Sequence, residues 1–188
     1  MSELASPGQL RAALLRWSLF LAPLLLLLGS LSGLMSGSGE GNVWFFALNK
    51  PAIYPPPATF GIVWTVLYLL MGVALAMVVT ARGAPARNAA IAAFVVQFLI
   101  NLAWSPVFFG MNQLVGALAV IVALDLAVIV TVVLFHKVRP LAAWLLLPYL
   151  CWVLFATLLN WQFIQANPEG VSSADVAMVL HGGDGRSI

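Results

Sequence analysis

Of eight basic and six acidic residues, only Asp125 lies inside any of five long apolar runs. The runs are Trp17–Leu34, Phe60–Val79, Ala89–Gly110, Leu114–Phe135 and Leu141–Ala166. Each is close to the ~20 residues that, at about 1.5 Å per residue, carry a helix across roughly 30 Å of hydrocarbon. In a bilayer every backbone N–H and C=O must be bonded within the protein, and a continuous helix does so unaided. The pattern therefore predicts an all-α integral membrane protein, a bundle of five transmembrane helices. A soluble fold is excluded, because 188 residues that are 63% hydrophobic and 7% charged cannot bury that much apolar surface.

The charges outside the runs orient the bundle. Arg11, Arg16, Arg82, Arg87, Lys137 and Arg139 fall on one side, against Lys50 and Arg186 on the other. Basic residues gather on the cytoplasmic side, so the N-terminus is expected in the cytoplasm of a bacterial cell membrane and the C-terminus outside. The same residues flank spans rather than forming one patch, and no nucleic-acid partner is expected. Residues 1–16 read as a cytoplasmic N-terminal segment, 17–166 as the membrane domain, and 167–188 as a polar, Gly-rich tail expected to be disordered. The first run also resembles a signal peptide, but it is long for one and no clean A-x-A site follows, so it is read as a retained span. Cys151 is alone, which precludes an intrachain disulfide.

Residues 36–59 make the one long connection. Gly37, Gly39 and Gly41 are followed by Trp44 and then by Lys50-Pro51-Ala52-Ile53-Tyr54-Pro55-Pro56-Pro57. The prolines stiffen the second half and forbid one long helix, so the segment reads either as an aromatic lid or as a solvated linker with interfacial anchors. The remaining connections are short, and short connections make sequential helices antiparallel neighbours.

Polar and aromatic residues within the runs fall at helical spacing. Gln97, Asn101, Trp104 and Phe108 share a face of the third run; Trp64, Tyr68, Met71 and Leu75 share one on the second, and Tyr149, Trp152, Ala156 and Asn160 one on the fifth. Amides in hydrocarbon need partners, so these stripes should face inward, either as a ligand site or as glue between helices. Taken singly, Trp17, Trp44, Trp64, Trp104, Trp144 and Trp161 read as an interfacial belt. Trp152 follows Pro140 by twelve residues, roughly 18 Å along a helix, which is near the midplane and out of reach of either belt. Asp125 has no basic residue at its depth; it reads as a structural hydrogen bond to a hydroxyl or amide, or as a proton or ligand site.

Residue supply removes several enzyme classes. His136 sits at a span end and His181 in the tail, so neither can serve Cys151 as a base or build a metal site in the bundle. No H-E-x-x-H, G-x-S-x-G or G-x-x-x-x-G-K-[ST] pattern occurs, and neither arginine-bearing spans nor carboxylate rings suggest a voltage sensor or pore. No metal and no required cofactor are expected.

The segments WFFALNKPAIYPPPATFGIVWTVLYLLMG, QFLINLAWSPVFFGMNQ and LLPYLCWVLFATLLNW, in this order across five runs, resemble the translocator protein / tryptophan-rich sensory protein (TspO/MBR) family. The resemblance implies a five-helix membrane protein, often a homodimer, that binds tetrapyrroles such as porphyrin or haem and other lipophilic ligands in a pocket closed by the first loop. Matched by motif, the ligand-binding positions are Trp64, Tyr68, Gln97, Asn101, Trp104, Phe109, Trp152, Ala156 and Asn160. Trp44, Lys50, Pro51, Pro55 and Pro56 match the lid. Trp64 and Trp152 also match positions credited with light-dependent porphyrin breakdown, so three functions stay open: sensing or binding, photochemical degradation, and transport. The chain departs from the family pattern at the lid, where Trp44-Phe45 replaces a Trp-Tyr pair and Ala52-Ile53-Tyr54 replaces a segment with Trp. Trp161 and Gln165 stand where a cholesterol motif has Tyr and Arg, so cholesterol handling is not expected. A face of Ala89, Ala93, Val96, Ile100 and Ala103 on the third run is the expected self-association surface.

Overall fold

The structure, a computed structural model, describes residues 6–38, 41–171, 177 and 180. Gly39, His181, Arg186 and most of the tail expected to be disordered lie outside the described residues. Among those described every regular element is helical: α1 (Pro7–Met35), α2 (Val43–Ala47), α3 (Pro57–Val79), α4 (Arg87–Ser105), α5 (Leu114–Val138) and α6 (Pro140–Ala166). All but α2 are long and apolar enough to cross a membrane, counting α4 together with the π-helical turn Pro106–Gly110 that continues it.

Apolar composition sets where the spans run, and local chemistry sets where they start and stop. α1 begins ten residues ahead of its apolar run because Ser6 and Gln9 form a capping box: Gln9 N–H donates to Ser6 Oγ at 3.3 Å and Ser6 N–H donates to Gln9 Oε1 at 2.8 Å. Residues 7–16 of the expected N-terminal segment are therefore the first turns of α1. Pro57 and Pro140 open α3 and α6 at first-turn positions that have no backbone partner to lose.

Around the bundle the order is α1, α3, α6, α5, α4, with α4 returning more thinly to α1 and α3. The expectation that sequential spans are neighbours holds only thinly for α3 and α4, because α6 and α1 occupy most of the flanks of α3. α1 and α3 approach so closely that a Cβ on Gly72 would run into the Ala22 backbone, and one on Gly29 would run into the Tyr68 ring. Small residues let transmembrane backbones meet in this way, gaining dispersion where no water is released. Ser32 Oγ donates to Leu102 O at 2.7 Å and ties α1 to α4.

Two apolar clusters result. The larger fills the middle and the end opposite the long loop, with Val78, Ala90, Phe94, Phe135, Ala142 and Leu146 buried together. A smaller one sits under the loop, around Leu48, Phe108, Ala117, Leu159 and Phe163. Trp104 packs against both.

Candidate ligand-binding site

The inward stripes meet between the two clusters. Gln97 and Asn160 are each 1% exposed and Asn101 is 6% exposed, so all three amides leave the lipid face as helical spacing requires. Each amide oxygen accepts from an aromatic donor on another helix. Tyr68 Oη–H donates to Asn101 Oδ1 at 3.0 Å, Tyr149 Oη–H to Gln97 Oε1 at 2.9 Å, and Trp104 Nε1–H to Asn160 Oδ1 at a longer 3.4 Å. Asn160 Nδ2 in turn donates to Leu114 O at 2.9 Å, joining α6 to the start of α5. Spans α3, α4 and α6 are thus stitched by amide–aromatic pairs, each worth about 0.6 kcal/mol by the average for interhelical bonds in membranes.

Rings fill the space between these pairs. Trp64 stacks on Tyr68 with centroids 5.2 Å apart and meets Tyr149 edge-on at 6.3 Å, while Trp104 stacks on Phe108 at 4.9 Å. Trp152 lies edge-on to Phe60 at 5.8 Å and near Phe155 at 5.3 Å, and Ala156 one turn on packs against the same core cluster. Phe109 joins from the π-turn, 4.8 Å from Phe108 and 5.9 Å from Trp104. Pro106 O accepts from Met111 N–H at 2.8 Å, five residues on, the bond of the π-turn that carries both Phe108 and Phe109.

The loop closes over this interior as a packed element. Asn42 caps the short helix α2 by accepting from Phe45 N–H at 2.9 Å, and its Nδ2 donates to Gly37 O at 3.1 Å. Trp44 reaches Phe108 edge-on at 5.8 Å. Pro51 accepts from Tyr54 N–H in a tight turn, Pro55 is half-buried, and Pro56 is exposed at the rim as the cap of α3. Lys50 turns back onto the loop: its Nζ donates to Phe45 O and to Leu48 O and lies 4.2 Å from the Phe45 ring centroid. Partial burial pulls its ammonium below the ordinary lysine range, and the same burial raises the Tyr54 phenol.

Sequence reasoning passed over the residues that plug the mouth. Phe45 contacts Tyr54, Phe108, Phe109 and Phe163, and Tyr54 contacts Phe60 and Phe163. Both were noted only as replacements, although two aromatics in a proline-stiffened loop are themselves a packing signal. Asn167 was also missed. Its Oδ1 accepts from Asn49 N–H at 2.8 Å and its Nδ2 donates to Asn49 O at 3.1 Å, which fastens the loop to the end of α6. An Asn before Pro168 reads in sequence as a helix terminus, so nothing there signals a latch.

Asp125 is 7% exposed, and Thr157 Oγ1 lies 2.8 Å from its Oδ2 across the seam between α5 and α6. That is the hydroxyl partner expected for it. Two open depressions border the site. One, about 510 Å³, lies beside the loop at Leu34, Asn42, Trp44 and Phe109. The other, about 380 Å³, opens on the lipid side between α3 and α6, at Val63, Val66, Pro148, Cys151 and Trp152.

A profile of the TspO/MBR family matches residues 20–165. The chain is 41% identical over 127 residues to the Tryptophan-rich protein TspO of Chlorobaculum tepidum, covering 66% of this chain and 80% of that one. It is 38% identical over 136 residues to the Translocator protein of Homo sapiens, with 71% and 80% covered. Over 131 residues it is 36% identical to Protein CrtK of Rhodobacter capsulatus, with 68% and 80% covered.

Proposed function

The chain belongs to the TspO/MBR family, and on that premise we propose that it is a membrane sensor or binding protein for tetrapyrroles, porphyrin- or haem-like, and related lipophilic ligands. The observation that carries this reading is the amide-and-ring interior shared by α3, α4 and α6 beneath a loop whose own rings occupy the mouth. A flat apolar ligand would take the place of stacked side chains, and Phe45 and Tyr54 would swing aside with the loop to admit it. Stacking and hydrogen bonds would hold it rather than axial ligation, since His136 is exposed at the far end of α5.

Titration of the purified protein with protoporphyrin, read as quenching of intrinsic fluorescence, tests the site. Trp64→Ala and Trp152→Ala should each weaken binding roughly fivefold, the equivalent of about 1 kcal/mol of ring contact. Unchanged titration curves for both variants would remove the assignment. A photochemical reading is favoured by the Trp64–Tyr68 stack, which pairs two oxidisable rings. A defined product formed under light with more than one turnover per protein would support it, whereas stoichiometric bleaching would return it to binding.

In the same reading the N-terminus faces the cytoplasm of a bacterial cell membrane, and two copies pair through the exposed face of α4. Ala89, Val96 and Ala103 of the expected surface are exposed, whereas Ala93 and Ile100 are half-buried, so the available strip is continued instead by Val95 and Leu99. Ala89→Leu with Ala103→Leu should shift the detergent-solubilised protein toward monomer on multi-angle scattering while leaving the porphyrin titration in place.

A further inference from the structure

Two buried N–H donors in the ring cluster have no acceptor among the described residues: Gln97 Nε2 and Trp152 Nε1. The amide oxygen of Gln97 is taken by Tyr149, which lies three residues before Trp152 on α6, so both spare donors flank one turn of that helix. Indole offers a donor and nothing else, so only an acceptor can satisfy Trp152. The amide oxygens nearby already accept from Tyr68, Tyr149 and Trp104. One further buried atom lacks a partner, Asp125 Oδ1, an acceptor on the carboxyl group that bonds Thr157 across the α5–α6 seam. On the ring-bearing stripes of α4 and α6 the two unpartnered atoms are thus both N–H donors, in a medium where an unmade hydrogen bond is costly.

Resting on the ligand site proposed above, we infer that Gln97 and Trp152 select ligands by carbonyl oxygens at the edge of a flat ring system. A planar ligand carrying only alkyl groups would gain the stacking but leave both donors unmet. A ligand whose ring-edge groups present C=O, as a carboxylic acid, an ester or a lactam, would satisfy them. It is the carbonyl acceptor, not a negative charge, that the site reads.

Three porphyrins separate these contributions: protoporphyrin, its dimethyl ester, which keeps the carbonyls and loses the acid, and etioporphyrin, which carries alkyl groups only. Each is titrated against wild type, Trp152→Phe and Gln97→Leu, comparing one ligand across proteins so that its partitioning into detergent cancels. Trp152→Phe and Gln97→Leu should each raise Kd roughly fivefold for the acid and for the ester, and leave etioporphyrin within about twofold. If Gln97→Leu misfolds because Tyr149 loses its acceptor, Gln97→Leu combined with Tyr149→Phe removes both partners together and takes its place. Equal losses for all three porphyrins would overturn acceptor recognition while leaving porphyrin binding intact. Sensitivity confined to the free acid would overturn it in favour of charge recognition. Failure of wild type to bind any of the three would instead overturn the ligand-site reading.

Discussion

The two ends of the bundle solve burial differently. Opposite the long loop, Val78, Ala90, Phe135 and Ala142 are fully buried, and Phe94 stacks on Phe135 with centroids 5.8 Å apart. The polar side chains at that end bond backbone carbonyls, Thr131 Oγ1 to Ala127 O at 2.7 Å and the Arg87 guanidinium to Val79 O, rather than one another across helices, and alanines keep the helix backbones close. Toward the loop, amides, phenols and indoles share the interior, three helices are joined by side-chain hydrogen bonds, and a separate segment of chain supplies the plug. Dispersion between well-packed rigid surfaces favours one arrangement, whereas rings held by a latch and by a few directional bonds can be exchanged for another flat molecule. One end holds the helices together; the other is the end that would open under the proposed ligand-binding reading.

The contrast can be broken or sharpened by substitution. The largest effect is expected for Phe135→Ala, which should cost about 3–5 kcal/mol in detergent unfolding and leave the loop's protease sensitivity unchanged in the protein that remains folded. A loss below about 1 kcal/mol would show that this end is not the rigid one. Tyr149→Phe strips Gln97 of its donor and leaves a wholly unpartnered buried amide, for an expected cost of about 1–3 kcal/mol in the same assay. Asn167→Ala should cost about 1 kcal/mol, and that loss should be local. Amide exchange across residues 41–56 should accelerate while the global unfolding midpoint barely moves; a uniform acceleration would mean that the loop is not an independent unit. The smallest effect belongs to Asp125→Asn, which keeps an acceptor for Thr157 and should change stability by about 0.6 kcal/mol or less.

What could be read in the chain follows from how strongly each constraint acts. Hydrocarbon demands long apolar helices, so the five spans and the inward turn of Gln97, Asn101 and Asn160 were legible. The start of α1 was not, because Ser6 and Gln9 extend the helix through residues that carry no apolar signal. The neighbour order was not, because a short link permits two helices to pack without requiring it, and α6 took the flank of α3 that α4 was expected to hold. Among site residues, Trp64, Tyr68, Trp104 and Trp152 pack in one cluster, since periodicity places them on facing stripes, whereas Phe109, matched by motif alone, joins from the π-turn. Lys50, matched to the lid by motif, folds onto Phe45 within that loop. The pair Asn49 and Asn167 is set by contact between segments more than a hundred positions apart, for which a single sequence holds no signal.

The π-turn at Pro106–Gly110 acts as a phase shift written into α4. One extra residue in a turn rotates what lies beyond it by about 100° relative to the helix before it, so this turn sets how Phe108 and Phe109, which both meet Phe45, stand relative to Asn101 and Trp104. In terms of the chain as a text, the turn behaves like one inserted letter whose reading frame is the helix face. Deleting a single residue there, Val107 for example, would remove no ring and no hydrogen-bonding side chain, yet it would re-aim everything that follows up to Leu114. Length at this point of the sequence should therefore be as tightly held as the identity of any aromatic in the cluster.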